Sequence, residues 1–172
     1  MRDQIMSDFL KTLASDASPG GGATAALHVA QAAALVAKAS PDGRAARALS
    51  MHALRLAEKE AHAAATLARA HRLPTGEARD TAVAEARRRA CEPAAEVIAA
   101  AAAVLDLVDR VPPDSLVGTD LAAVAEAARA AATTAGVSIE IHSGAAASPE
   151  VAAVGEHADR LTAAAREVVV PA

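Results

Sequence analysis

Residues 18–38 read SPGGGATAALHVAQAAALVAK. Three consecutive glycines, Gly20, Gly21 and Gly22, stand between a short amphipathic stretch and a run of small residues. Glycine costs backbone entropy on folding, so such a run marks a sharp turn, a close backbone approach or slack. Beside a helix start, the free N–H groups also suit an anion. The run 23–39 that follows is nearly apolar all round, which predicts a helix buried on most of its faces. It carries His28 and Gln31, and its apolar residues are mainly alanine, which gains little from lipid; a membrane-spanning helix is therefore not expected.

Composition extends this reading to the whole chain. It has 172 residues, 53% of them hydrophobic and only 1% aromatic, with Phe9 the single ring and no Trp or Tyr. A core of this kind must be built from Ala, Val and Leu, with helices packed closely because alanine is short. Alanine is also the best helix former. An all-α fold is expected, as one domain over residues 1–172. The formal net charge is −4, which argues against a nucleic-acid partner. The basic run Arg87-Arg88-Arg89 has Glu85 and Glu92 close by and reads as a solvated helix face. The lone Cys91 forms no internal disulfide and suits a reducing, cytoplasmic setting. Asp3 and Asp8 fall where a secretory signal would need apolar residues, so none is expected.

Helix signals follow one another along the chain. Residues 4–14 place Ile5, Phe9, Leu10 and Leu13 on one side. Ser40-Pro41 predicts a third helix start, running to Arg72 before Leu73-Pro74. Thr75 is placed to cap a fourth, with Glu77 in its first turn. This helix is expected to reach Val111, kinked or split at Pro93 and ended by Pro112-Pro113. A fifth begins near Ser115 or Thr119 and runs through Ala132. The segment 137–141 alternates like a strand, yet a single strand has no partner here, so helix is expected. Ser148-Pro149-Glu150 opens a last helix to about Val168. Short connections imply an up-and-down antiparallel bundle of five to six helices. With so few large side chains, one chain buries little apolar area alone, so a homodimer is expected.

Candidate chemistry lies in a few polar groups. Glu58, Glu60 and Asp120 offer carboxylates that move protons if buried between helices; with Arg55, Lys59 and His62 interleaved, the bland reading of a solvated face stays open. Glu58 and His62 share a face, but no third ligand is evident and no metal is expected. His28, inside the small-residue helix, is either a satisfied interior histidine or a pocket group.

Several segments, in order, resemble the cyclodeaminase/cyclohydrolase family, which comprises the cyclodeaminase domain of formiminotransferase-cyclodeaminase and stand-alone methenyltetrahydrofolate cyclohydrolases. Phe9-Leu10-x-x-Leu13-Ala14-Ser15 and Pro19-Gly20-Gly21-Gly22 are similar to the family's FLxxLAS and PGGGS. Ala23-Thr24-Ala25-Ala26-Leu27 and Leu35-Val36-Ala37 resemble its small-residue helix. Residues 56–64, ending later in Leu73-Pro74, resemble a segment reading L-x-D-x-D-A-x-A-F; Ala90-Cys91-Glu92-Pro93 resembles A-x-x-P, and Val117-Gly118-Thr119-Asp120 stands where the family has V-S-D. The resemblance implies a helical homodimer acting on a tetrahydrofolate derivative. Gly20, Gly21, Gly22 and Ala23 would approach the ligand, and Asp120 and Glu60, with His28, would be the catalytic candidates. The implied reaction closes formiminotetrahydrofolate to 5,10-methenyltetrahydrofolate with loss of ammonia, or hydrolyses the methenyl ring reversibly. This sequence departs from the family pattern at Ala23, Glu58, Glu60, Ala64, Gly136 and Glu140. A second expectation therefore stands beside the first: a catalytically degenerate member serving as a small-metabolite binder or a helical dimerisation module.

Overall fold

Helix follows helix through the computed structural model, which describes residues 6–15, 20–40, 43–112, 115–116, 118–146 and 148–167. Among the described residues there are six α-helices and no strand: α1 (Met6–Leu13), α2 (Gly21–Ala39), α3 (Arg44–His71), α4 (Glu77–Val108), α5 (Gly118–Ser143) and α6 (Pro149–Glu167). The expected breaks at Pro19, Pro41 and Pro113, and the helix end at Val168, lie outside the described residues. No described helix is long and apolar enough to cross a membrane.

The nearly all-apolar α2 is the centre of the packing, as its composition requires. It lies against α3, α4 and α5. Ala23, Ala25, Ala26, Val29, Ala30, Ala32, Ala33, Val36 and Ala37 are all buried. Gln31, Ala34 and Lys38 are exposed at a spacing of three then four, a narrow stripe on one side. The partner helices answer with equally small faces: Ala53 and Ala57 around Leu56 on α3, Ala94 and Ala101 around Val97 on α4, and Ala125, Ala128, Ala132 and Ala135 on α5. Small side chains let the helix axes approach, and the sparse leucines, Leu56 and Leu105, fill what remains.

Polar contacts fix which segments meet. Ser50 Oγ donates to Ala30 O at 3.0 Å between α3 and α2. Lys59 Nζ meets both carboxylate oxygens of Glu96 at 2.8 Å between α3 and α4. Lys38 Nζ reaches Asp120 Oδ2 at 2.8 Å between α2 and α5. Arg129 joins Asp159 at 2.6 Å between α5 and α6. These ion pairs are largely exposed, so they set register more than they add stability.

Three local expectations are corrected. Gly76 occupies the start of α4, and no side-chain oxygen of Thr75 bonds there. The same helix runs through Pro93 unbroken and stops at Val108, three residues early. The missing Pro93 N–H costs one hydrogen bond, but its ring is buried against the groove between α3 and α4, and packing outweighs the break. The third correction is α5, which does not end at Ala132 but continues to Ser143, taking in the segment 137–141 as helix. A lone strand would leave its backbone groups unpaired, whereas a helix pairs them internally. Gly136 lets α6 pack closely on α5, because a Cβ there would stand 3.0 Å from Val151 Cγ2 of α6.

A core this dependent on size is expected to fail in both directions. Leu56→Ala should lower unfolding free energy by about 2–5 kcal/mol. Ala128→Leu, at a fully buried position, should cost about 1–3 kcal/mol by overpacking. Urea denaturation of both variants checks this.

Candidate functional site

Helix α2 begins part-way along its neighbours. Gly22 stands opposite Glu60 of α3, and Gly21 opposite Thr134 of α5. Both partners continue beyond that level, and Leu67 and His142 lie about 10 Å further along them at 1.5 Å per residue. The space left beyond the end of α2 is a cleft of about 300 Å³. Gly20, Gly21 and Gly22 form its base, Glu60, Ala64 and Leu67 one wall, and Thr134, Ser138, Ile141 and His142 the other, with Ala90 of α4 behind. The glycine-rich corner thus opens into a crevice and is not a plain turn.

Glu60 is the chemical centre of this cleft. It is only 8% exposed and is the buried charged residue among those described. Its Oε1 has no hydrogen-bond partner. Burial alone pushes its pKa up from 4.5 to about 7, so near neutral pH the group is poised between acid and carboxylate. Gly22 makes room for it: a Cβ at that position would overlap Oε2 and stand 2.6 Å from Cδ. Across the cleft, His142 has its pKa lowered by burial and by the nearby positive charge of Arg87 on α4. The imidazole is therefore biased toward its neutral, proton-accepting form.

The first turn of α2 adds a fixed field. No side chain caps it at Gly20, and no acidic residue lies in that turn. The first bond back along the helix is from Thr24 N to Gly20 O, at 3.4 Å. The N–H groups of Gly21, Gly22 and Ala23 thus have no intrahelical acceptor, and the positive end of the helix dipole points toward the cleft.

The structure brings together Gly20, Gly21, Gly22 and Glu60 from the sequence candidates, and separates the others. Asp120 is held by Lys38 at the far end of α2, roughly 25 Å from Gly21 along that helix. The expectation that it shares a cleft with Glu60 is thereby corrected. His28 lies about two turns into α2, half-buried, with its Nδ1 unpartnered, and does not line the cleft. Ala23 is packed in the core, away from the cleft lining. Glu58 and His62 do share a face, but it is the opposite flank of α3, in a groove of about 580 Å³ against Arg89, Glu92 and Pro93. His142 was not among the sequence candidates. Its signal was present: 134, 137, 138, 141 and 142 repeat at helical spacing and make one stripe once α5 is read to its full length.

A second grouping lies elsewhere. Asp106, Asp109 and His157 place ligand atoms within 4.8 Å of one another where α4 meets α6. His157 Nε2 and Asp109 Oδ1 already hydrogen-bond at 3.2 Å, and both aspartates are exposed. That hydrogen bond accounts for the arrangement without an ion.

Comparison with protein-family models and with the curated proteins returned no match.

The raised pKa of Glu60 makes a signed prediction. The folded state binds the Glu60 proton more tightly than the unfolded chain does. Stability from this group is therefore present below about pH 4.5, lost as pH rises toward 7, and absent above it. His142, shifted downward, works with the opposite sign below its ordinary value of 6.5, so a difference measurement is needed. Glu60→Gln should gain on wild type by about 3 kcal/mol between pH 4.5 and pH 8, roughly 6–12 °C in Tm for a domain of this size. Parallel thermal melts across that range provide the check. Gly22→Ala should push the carboxyl out toward the open cleft and move its pKa back toward 4.5, which side-chain NMR would read.

Proposed function

We propose that the cleft at the start of α2 carries out general acid–base chemistry on a tetrahydrofolate derivative. The reaction would be closure of formiminotetrahydrofolate to the 5,10-methenyl form with loss of ammonia, or the related ring hydrolysis. The single observation that carries the acid–base part is the desolvated, unpartnered Glu60 carboxyl facing the glycine corner. The folate assignment rests on the sequence resemblance. In the cyclisation, N10 adds to the formimino carbon and loses its proton, and the bond from that carbon to the departing nitrogen then breaks. Glu60, protonated near neutral pH, gives its proton to the leaving ammonia. His142, neutral in the same cleft, accepts the proton from N10 and passes it to the departing nitrogen, which with the Glu60 proton leaves as ammonia. A cleft of about 300 Å³ suits the reacting ring end of a folate, with its tail in solvent.

The scaffold in this reading is an up-and-down antiparallel bundle acting as a homodimer. Support for the topology comes from paired contacts whose numbers run oppositely: Gly22 with Glu60 and Ala30 with Ser50 for α2 and α3, and Gly21 with Thr134 and Lys38 with Asp120 for α2 and α5. Support for a dimer comes from the scarcity of large apolar side chains and from exposed Met6, Leu10, Val137 and Ile141. A monomer by light scattering at low micromolar concentration would end the dimer proposal.

A second reading has its own observation. Asp120, matched to the family's carboxylate, is tied to Lys38 outside the cleft, and Gly136, one of the departures from the family pattern, packs on Val151. A non-catalytic folate or metabolite binder is consistent with both. Turnover followed at the methenyltetrahydrofolate absorbance band separates the readings, with calorimetry of folate binding beside it. The enzyme reading predicts that Glu60→Gln lowers turnover by about 100-fold or more, while Asp120→Asn, which removes only a surface ion pair, stays within about twofold. Tight binding with no turnover above the buffer rate favours the binder; neither binding nor turnover rejects folate altogether.

A further inference from the structure

The geometry points to an oxyanion subsite at the base of this cleft: the N–H groups of Gly21 and Gly22 receive a carboxylate or similar anion of the ligand, and Glu60 in its acid form donates a further hydrogen bond to it. The inference stands on the cleft itself and holds whether the occupant is turned over or only bound.

Two independent features meet there. One is the start of a 19-residue helix at Gly20, a residue with no side chain to cap it, with no acidic residue in the helix's first turn. Its first N–H groups have no intrahelical acceptor, and the positive dipole end lies at the space lined by Gly20, Gly21 and Gly22. The other is Glu60, more than nine-tenths buried, lining the same space with Oε1 unpartnered. A buried polar atom without a partner is costly, and a ligand oxygen accepting its proton removes that cost. The glycines leave the approach clear, and at Gly22 a side chain would collide with the carboxyl itself.

The charges around the site decide the sign of the ligand. From α3 the titratable lining group is Glu60, and from α5 it is His142. From α4, Arg87 adds positive potential at His142. From α2 comes the helix terminus. With Glu60 protonated, the described residues that line the space are neutral or positive. With Glu60 ionised, its charge opposes an incoming anion. Anion binding is therefore linked to uptake of one proton by Glu60. Protonation of His142 adds attraction only at more acid pH, so the two groups are separable.

The probe is sulfate, whose charge is constant across the useful range, titrated against chloride at equal ionic strength. Amide NMR of the intact chain is the readout. The expected result is saturable shifts at Gly21 and Gly22, with affinity falling about tenfold per pH unit above about 7. In Glu60→Gln, which keeps a donor and cannot ionise, that fall should vanish. In His142→Gln it should persist. Shifts that are absent from these two amides, or a pH dependence unchanged in Glu60→Gln, overturn the proposal. So does preferential binding of guanidinium with affinity rising with pH, which would make the site a cation site. None of these outcomes depends on folate turnover, so failure here and failure of the enzyme reading are told apart.

Discussion

The carboxyl of Glu60 lies where α2 has no side chain to offer it. Most of the candidate chemistry follows from that contact. An alanine-built core forces α2 into close packing with α3 and α5, and the start of α2 then falls against the middle of α3. Water is excluded from one side of Glu60, no donor replaces it, and the group becomes a weaker acid. Gly22 is the other half of the same constraint, since a methyl group there would occupy the carboxyl's place. A polar group kept in this state weakens the fold at neutral pH. Such a cost is characteristic of places where a protein binds or reacts.

The positive end of α2 sits beside this carboxyl without bonding to it. Together they offer a ligand a row of donors and one exchangeable proton. His142 supplies an acceptor on the facing wall. The outer groove between α3 and α4 is larger, but its charges are exposed and some already pair, as Lys59 does with Glu96. Size alone therefore does not identify the site; desolvation and unsatisfied hydrogen bonding do.

Much of the fold was legible in the sequence, because alanine content and helical spacing both speak for helices. The burial of α2 followed from its apolar run, and the α3 end near Leu73-Pro74 was off by one residue. Helix was legible at 137–141 despite its β-branched alternation, but its continuity with the helix running through Ala132 was not. That miss hid His142. Glu58 and Glu60 both read as carboxylate candidates, but two positions on a helix lie nearly opposite, and only the packing of α2 says which one turns inward. The place of Asp120 was not legible for a related reason. Its distance from the glycines depends on how α5 runs past α2, a tertiary register that local sequence does not encode.

The most direct measurement is a ¹³C NMR titration of the Glu60 side-chain carboxyl in the intact protein. A midpoint near 7 that drops toward the ordinary 4.5 in Gly22→Ala is the predicted result. A wild-type midpoint near 4.5 would mean that the carboxyl is solvated or paired, and would contradict the central claim.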